Sequence, residues 1–207
     1  AGMQALCRHS VVHADLAARN VLVQSLNPVH VKVGDFGMSK TKMVYYGDSN
    51  KIPYRWCSPE IFTRGKWTEK SDVWAFGVTL WEVYTGGKIP YGSISSKAEI
   101  QALVCAGGHP DRPSVQACPE YIWEVLLACW SLRPDDRPSF AQLKDKLQAQ
   151  LAAVLSGAPV PSGTFAPSVV AMPPQGAGVY SGGGSEAYSE FDWGEAAKID
   201  DDKVLSS

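Results

Sequence analysis

The 207-residue sequence has no long hydrophobic run. Nothing in it approaches the roughly 20 consecutive apolar residues that a membrane-spanning helix needs, and no secretory signal pattern stands at its start. Cysteine is sparse and unpaired in pattern. Cys7, Cys57, Cys105, Cys118 and Cys129 make an odd five with no CxxC spacing, which argues against a disulfide or zinc framework and for a reducing compartment. Cys118 and Cys129 lie among apolar residues, where the thiol serves as a small hydrophobe. A large excess of either charge sign is also missing. The formal net charge is −2, so there is no electrostatic basis for a nucleic-acid partner. No internal repeat interrupts the chain.

What is present is a composition that can build a core, with 45% apolar residues, seven Trp and six Phe. The near-neutral total divides unevenly along the chain. From Gly157 onward seven acidic residues face only Lys198 and Lys203, which leaves the preceding part mildly basic. Gly, Pro, Ser and Ala dominate from Gly157 to Ser185, too few large apolar residues to offset the entropy of ordering. Residues 156–207 are therefore expected to be a disordered Gly/Pro/Ser-rich tail with an acidic end. At the other terminus, Ala1-Gly2-Met3-Gln4-Ala5-Leu6 reads as a helix already under way, so a fragment of a longer protein is expected.

Between these ends the pattern predicts a mainly helical body with a few short strands. Residues 1–10 read as the end of a helix. Val11–Val12, Val21–Val23 and Val29–Val33 are short apolar runs, with Asn27-Pro28 as a turn signal between the last two. Residues 34–70 show no sustained period and read as loop with short helical pieces. From about Ser71 to Tyr84 the residues are apolar nearly all round, including Val73, Phe76, Leu80 and Trp81, which predicts a buried central helix stopped by Gly86-Gly87. Further helices are expected near Lys97–Cys105, from about Pro119 with Ile122, Val125, Leu126 and Cys129 on one face, and from Ser139. There Ser139 and Gln142 form a capping box. Phe140, Leu143, Leu147, Leu151 and Val154 make the last helix's apolar stripe, and Gly157 ends it.

Two stretches carry chemistry. In His13-Ala14-Asp15-Leu16-Ala17-Ala18-Arg19-Asn20, a carboxylate and an amide five residues apart on a tight loop can face one site from two sides. Asp15 can orient a hydroxyl nucleophile and accept its proton, and the amide oxygen of Asn20 can ligate a hard cation. Asp35-Phe36-Gly37, after the strand-like Val31-Lys32-Val33, supplies a second carboxylate at a strand end. Taken singly, either motif is what solvated turns commonly carry.

Their combination and order resemble the protein-tyrosine kinase family. The first run resembles the catalytic loop H-R-D-L-A-A-R-N, and Asp35-Phe36-Gly37 resembles the magnesium-binding motif that follows it. Ser58-Pro59-Glu60 stands where that family has A-P-E. Ser71-Asp72-Val73-Trp74-Ala75-Phe76-Gly77 is similar to the buried helix that anchors the catalytic loop, and Cys129-Trp130 with Arg137-Pro138-Ser139-Phe140 to the closing motifs. Ala17, where serine/threonine kinases usually carry Lys, together with Arg19, is the tyrosine-kinase pattern. Ile52-Pro53-Tyr54-Arg55-Trp56 resembles that subgroup's substrate loop.

The resemblance covers roughly residues 1–155 and implies the C-lobe of a kinase catalytic domain, using ATP and Mg2+ to phosphorylate tyrosines of protein substrates on the cytoplasmic side. It implies that Asp15 orients the tyrosine hydroxyl, that Arg19 holds that carboxylate and the phenol, and that Asn20 and Asp35 ligate magnesium. It makes His13 and Asp72 supports of the catalytic loop, Glu60 and Arg137 a structural ion pair, and Pro53 and Trp56 parts of the substrate loop. Tyr45 and Tyr46 occupy activation-loop positions as candidate phosphorylation sites, against the alternative of ordinary exposed tyrosines. Tyr188, in an acidic setting within the tail, is a third candidate that could recruit phosphotyrosine-binding domains; a merely solubilising role is the alternative.

Two departures stand out. Ala14 replaces the Arg of H-R-D, which in the family pairs with a phosphorylated activation loop. No Gly-rich phosphate loop or strand lysine with a partner Glu occurs in the sequence, and these form the upper half of the ATP site. The chain alone is thus expected to be inactive. Both departures also admit a noncatalytic, pseudokinase-like scaffold as the rival reading.

Overall fold

The computed structural model describes residues 1–41, 44–46, 52–163 and 165. The chain divides into a unit of Ala1–Pro167 and a second, Ser168–Ser207, which lies outside the described residues, as do Tyr188 and the expected disorder beyond residue 165. The first unit is mainly helical. In chain order it runs α1 (Gly2–Arg8), β1 (Val21–Leu26), β2 (Val29–Val33), β3 (Val44–Tyr46), α2 (Pro59–Arg64), β4 (Lys66–Thr68), α3 (Glu69–Tyr84), α4 (Lys97–Cys105), α5 (Glu120–Cys129) and α6 (Phe140–Ser156). Short 3-10 turns at Ala18–Asn20, Tyr54–Trp56 and Pro134–Asp136 lie between them.

α3 is the centre. Val73, Trp74 and Val78 are fully enclosed, and Trp81 and Ala75 nearly so, as expected of a helix apolar on most sides. It begins two residues before Ser71 because Thr68 is the N-cap. Thr68 Oγ1 accepts from the amide of Lys70 at 3.2 Å, and Ser71 Oγ accepts from the amide of Thr68 at 2.8 Å. Against it lies α5, with Ile122, Val125, Leu126 and Cys129 all buried. The approach is close at Gly77, where an added Cβ would lie 2.7 Å from Trp130 Nε1 and 2.9 Å from Cys129 Cβ. Glycine here is a packing requirement. α4 occupies the expected residues and buries Ile100 and Val104.

α6 starts as its capping box dictates, Gln142 N donating to Ser139 Oγ at 3.2 Å and Ser139 N to Gln142 Oε1 at 2.8 Å; Gly157 closes it in the left-handed region. Its stripe differs from expectation at the far end. Leu151 and Val154 are exposed at 59% and 48%, while Gln150 and Ala153 face inward. Gln150 Nε2 donates to the carbonyls of Tyr121 at 3.2 Å and Pro161 at 3.4 Å, so a polar residue holds the returning chain where apolar packing has run out.

Residues 34–70 hold more order than the absence of a period implied. β3 pairs antiparallel with β4, with Val44 opposite Thr68, Tyr45 opposite Trp67 and Tyr46 opposite Lys66. Three-residue strands are too short for alternation to register in a sequence. Trp67 anchors this ladder in a second apolar cluster with Val12, Ala14, Cys57 and Ile61. β1 and β2 form the other antiparallel pair, in which Val21 faces Val33. Leu22, Val23, Leu26, Val29 and Val31 of this hairpin are all exposed.

Candidate active site

The hairpin register brings two candidate ligands together. One residue beyond the Val21–Val33 pair, the amide of Gly34 donates to the carbonyl of Asn20 at 2.8 Å, so Asn20 lies opposite Gly34, and Asp35 follows one residue on, at the end of the β1–β2 ladder. Asn20 donates through Nδ2 to the Asp15 carbonyl at 2.7 Å and to Asp15 Oδ2 at 3.1 Å. With the nitrogen so engaged, the amide oxygen is the atom left to meet a cation. Arg19 pairs with the other carboxylate oxygen of Asp15. The Arg19 guanidinium also lies 4.5 Å from the centre of the Trp56 ring, a cation–π contact that joins the catalytic-loop motif to the substrate-loop motif. Pro53 precedes the 3-10 turn that carries Trp56 and accepts from the Trp56 amide at 2.9 Å.

His13 and Asp72 hold this loop from below. His13 is fully buried and its Nε2 lies 3.1 Å from the Gly34 carbonyl, while the amide of Asp15 donates to Nδ1 at 3.3 Å. One tautomer serves both contacts, with the proton on Nε2. Burial lowers the pKa of His13, which favours that neutral form. The imidazole packs on Phe36 with ring centres 5.3 Å apart. Phe36 is therefore half-buried, and the exposed apolar surface beside it falls on the β1–β2 hairpin.

Asp72, on the first turn of α3, accepts from the amides of His13 at 2.7 Å and Ala14 at 3.0 Å. These two bonds hold Ala14 at φ 66°, a conformation that disfavours any residue with a Cβ. Burial pushes the Asp72 carboxyl up to about 7, against the amide bonds that pull it down. Its folded pKa thus lies above the ordinary 3.8, and between those values the folded chain keeps a proton that the unfolded chain has lost. Stability from this group is fully present in acid and declines as pH rises toward 7. In urea titrations the stability advantage of the wild type over Asp72→Asn is expected to shrink as pH rises from about 4 to about 7. A pH-independent difference would mean that the amide bonds keep Asp72 ionised throughout.

Farther from the loop, Glu60 and Arg137 form a two-pronged pair, Nη1 to Oε1 at 2.7 Å and Nη2 to Oε2 at 2.9 Å, with Arg137 wholly buried. Tyr45 and Tyr46 lie on β3; their side chains are outside the described residues. Ser58, where the similar motif has Ala, buries a hydroxyl with no hydrogen-bond partner among the described residues.

Sequence reading overlooked Glu82. This acid sits 8% exposed near the end of α3, and its Oε2 accepts both from the Ala18 amide and from Trp56 Nε1, each at 2.9 Å. One carboxylate therefore fastens the loop of residues 13–20 to the loop of residues 52–56. The available signal was an acid between apolar residues near the end of an apolar helix, a position that demands buried donors.

Among the described residues no cluster of three or more His, Cys, Asp or Glu side chains could hold a metal unaided. The side-chain oxygens of Asn20 and Asp35 are donors of the kind a hard cation such as magnesium takes, a cation that usually keeps several waters. No helix among the described residues is long and apolar enough to cross a membrane.

By sequence, the chain is similar to known tyrosine-protein kinases. The chain is 39% identical over 158 residues to the megakaryocyte-associated tyrosine-protein kinase of Rattus norvegicus, covering 76% of this chain and 33% of that protein. It is 42% identical over 149 residues to tyrosine-protein kinase Btk of Drosophila melanogaster, covering 70% and 18%. It is also 42% identical over 151 residues to tyrosine-protein kinase Srms of Homo sapiens, covering 72% and 30%. The chain thus spans a third or less of these relatives' length. The family model for protein tyrosine and serine/threonine kinases matches residues 1–147, and the chain belongs to that family.

Proposed function

We propose that residues 1–155 are the C-lobe of a protein-tyrosine kinase and that residues 156–207 are its acidic tail. The observation that carries this reading is the convergence of Asp15, Arg19, Asn20 and Asp35 at one end of the β1–β2 hairpin, with Trp56 stacked on Arg19. In this reading Asp15 orients the tyrosine hydroxyl and takes its proton. Arg19, held between Asp15 and Trp56, steadies both the carboxylate and the incoming phenol. Asn20 and Asp35 would hold magnesium, which would supply positive charge against the phosphates of ATP. The exposed Leu22, Val23, Leu26, Val29 and Val31 beside these ligands are the surface that an ATP-binding lobe would cover. Protein tyrosines are the substrates, on the cytoplasmic side, and phosphotyrosine-binding domains are partners for Tyr188.

The test is transfer of phosphate to a tyrosine-containing peptide, by residues 1–207 alone and by the same chain joined to an upstream ATP-binding lobe. Activity is expected only in the two-lobed protein, because positioning and charge stabilisation need the phosphates gripped from both sides. A folded two-lobed protein without activity would turn the reading to the scaffold alternative.

Regulation follows from Ala14. It has no donor for a phosphate, and it lies 4% exposed in the apolar cluster with Trp67 of β4, the strand that already pairs with β3. Replacing Tyr45 and Tyr46 together by Phe is therefore expected to lower turnover of the two-lobed kinase less than about tenfold, or roughly 1.4 kcal/mol. A larger loss would assign the missing arginine's task to Lys40 or Lys42.

A further inference from the structure

Within Ile52-Pro53-Tyr54-Arg55-Trp56, Arg55 has no role in the reading above, yet it is the most heavily bonded side chain of the loop. Its guanidinium reaches no carboxylate among the described residues. Nη1 donates to the carbonyls of Pro90 at 2.7 Å and Tyr91 at 2.9 Å, and Nη2 donates to the carbonyl of Ile94 at 2.8 Å. All three acceptors belong to the connection between α3 and α4. Tyr91 there adopts φ 53°, a left-handed conformation that a residue with a Cβ avoids, and its carbonyl also closes a turn with the Ile94 amide at 2.9 Å. Converging three carbonyls on one cation is what holds that turn. The guanidinium meets them with two nitrogens held in one plane, a spacing that the single nitrogen of an ammonium does not reproduce.

The neighbouring residue is fixed from the opposite direction. Trp56 donates to Glu82 of α3 and lies against Arg19. The substrate loop is thus clamped at two consecutive residues, Arg55 to the α3–α4 connection and Trp56 to the catalytic loop. We infer that Arg55 is a positioning residue for the protein substrate: it sets the substrate loop, with Pro53 and Trp56, against the α3–α4 connection and so at a fixed height relative to Asp15. It touches neither the carboxylate nor the magnesium ligands, so its effect falls on peptide binding and not on ATP. Pro90 and Tyr91 are themselves buried, Tyr91 in the core cluster with Trp81, so the clamp ties the substrate loop to the body of the fold; Arg55 is partly exposed and takes no part in the packing of α3 on α5. This inference rests on the proposed kinase reading.

Two measurements test it. In the two-lobed kinase, Arg55→Ala is expected to raise the KM for a tyrosine-containing peptide about tenfold, with the KM for ATP within about twofold and the unfolding midpoint little changed. Arg55→Lys should retain most of the defect, because the charge returns without the fork. In the 207-residue chain, Arg55→Ala should speed amide hydrogen exchange in residues 52–57 and 90–94 together, leaving α3 and α5 protected. An unchanged peptide KM, full rescue by Lys, or a parallel loss of peptide binding, ATP binding and stability would overturn the assignment. If the wild-type two-lobed protein is itself inactive, the kinase reading fails. Joint loosening of the two loops would then still support the clamp, and independent exchange would refute it.

Discussion

Asp15→Asn in the two-lobed kinase is expected to reduce tyrosine phosphorylation on the order of a thousandfold while leaving the protein folded. A positioned general base contributes about a hundred- to ten-thousandfold, and the amide that replaces this carboxylate cannot accept a proton. The surroundings amplify the loss. Asp15 accepts from Arg19 through one oxygen and from Asn20 through the other, so an amide would turn its own NH2 toward a donor on one side or the other. Either Arg19 loses its hold beside Trp56 or Asn20 is released, and Asn20 is a proposed magnesium ligand. Stability should change little, because the Arg19–Asp15 pair lies near the surface, with the Arg19 side chain 45% exposed, and such pairs contribute about 0–1 kcal/mol. The loop's shape comes instead from Asp72 and His13, which hold it through backbone groups. Turnover and the urea midpoint, measured on the same preparation, check both halves of the expectation. Near-normal turnover would remove Asp15 from the chemistry, and a collapsed midpoint would make the loss of activity uninformative about its role as base.

How much of this was readable beforehand depended on whether the signal was local. The α4 boundaries, the Ser139–Gln142 box and the Gly157 stop depend on residues within one turn of each other, and the structure has them where the pattern put them. The loop residues His13, Asp15, Arg19 and Asn20 sit within one short motif, so their gathering follows from a single tight connection. What stayed hidden required knowing which surfaces meet. Leu151 and Val154 continue the α6 stripe in sequence, yet both are exposed and the buried side turns to Gln150 and Ala153. Glu82 and Arg55 stand far in sequence from what they bind, Ala18 for the first and Pro90 to Ile94 for the second. No period or cap announces such a partner. β3 and β4 pair over only three residues each, and their anchor, Trp67, is defined by a cluster drawn from Val12, Ala14, Cys57 and Ile61.

The same distinction gives Arg137 its expected effect, which should be the largest on stability. Arg137→Met is expected to destabilise the fold by about 3–5 kcal/mol, because it strands the Glu60 carboxylate in a site with almost no water. Against a typical total of roughly 5–15 kcal/mol, that would leave little margin at physiological temperature. Glu60→Met should cost a comparable amount by stranding the guanidinium. A double replacement by Met removes both charges, and for an isolated buried pair it can restore full stability. Here it should recover only part. Arg137 also donates to the carbonyls of Ser131 at 2.9 Å, Lys70 at 2.8 Å and Leu132 at 3.4 Å, and its guanidinium lies 5.1 Å from the Trp74 ring centre. Removing it leaves those carbonyls facing an apolar side chain, a penalty that no change at Glu60 can repair. Urea unfolding of the two single variants and the double variant completes the cycle. Full recovery in the double variant would show that the carbonyl bonds carry no net stability and that Arg137 answers to Glu60 alone. Additive losses would show instead that the two charges do not depend on each other, contrary to their 2.7 and 2.9 Å contacts.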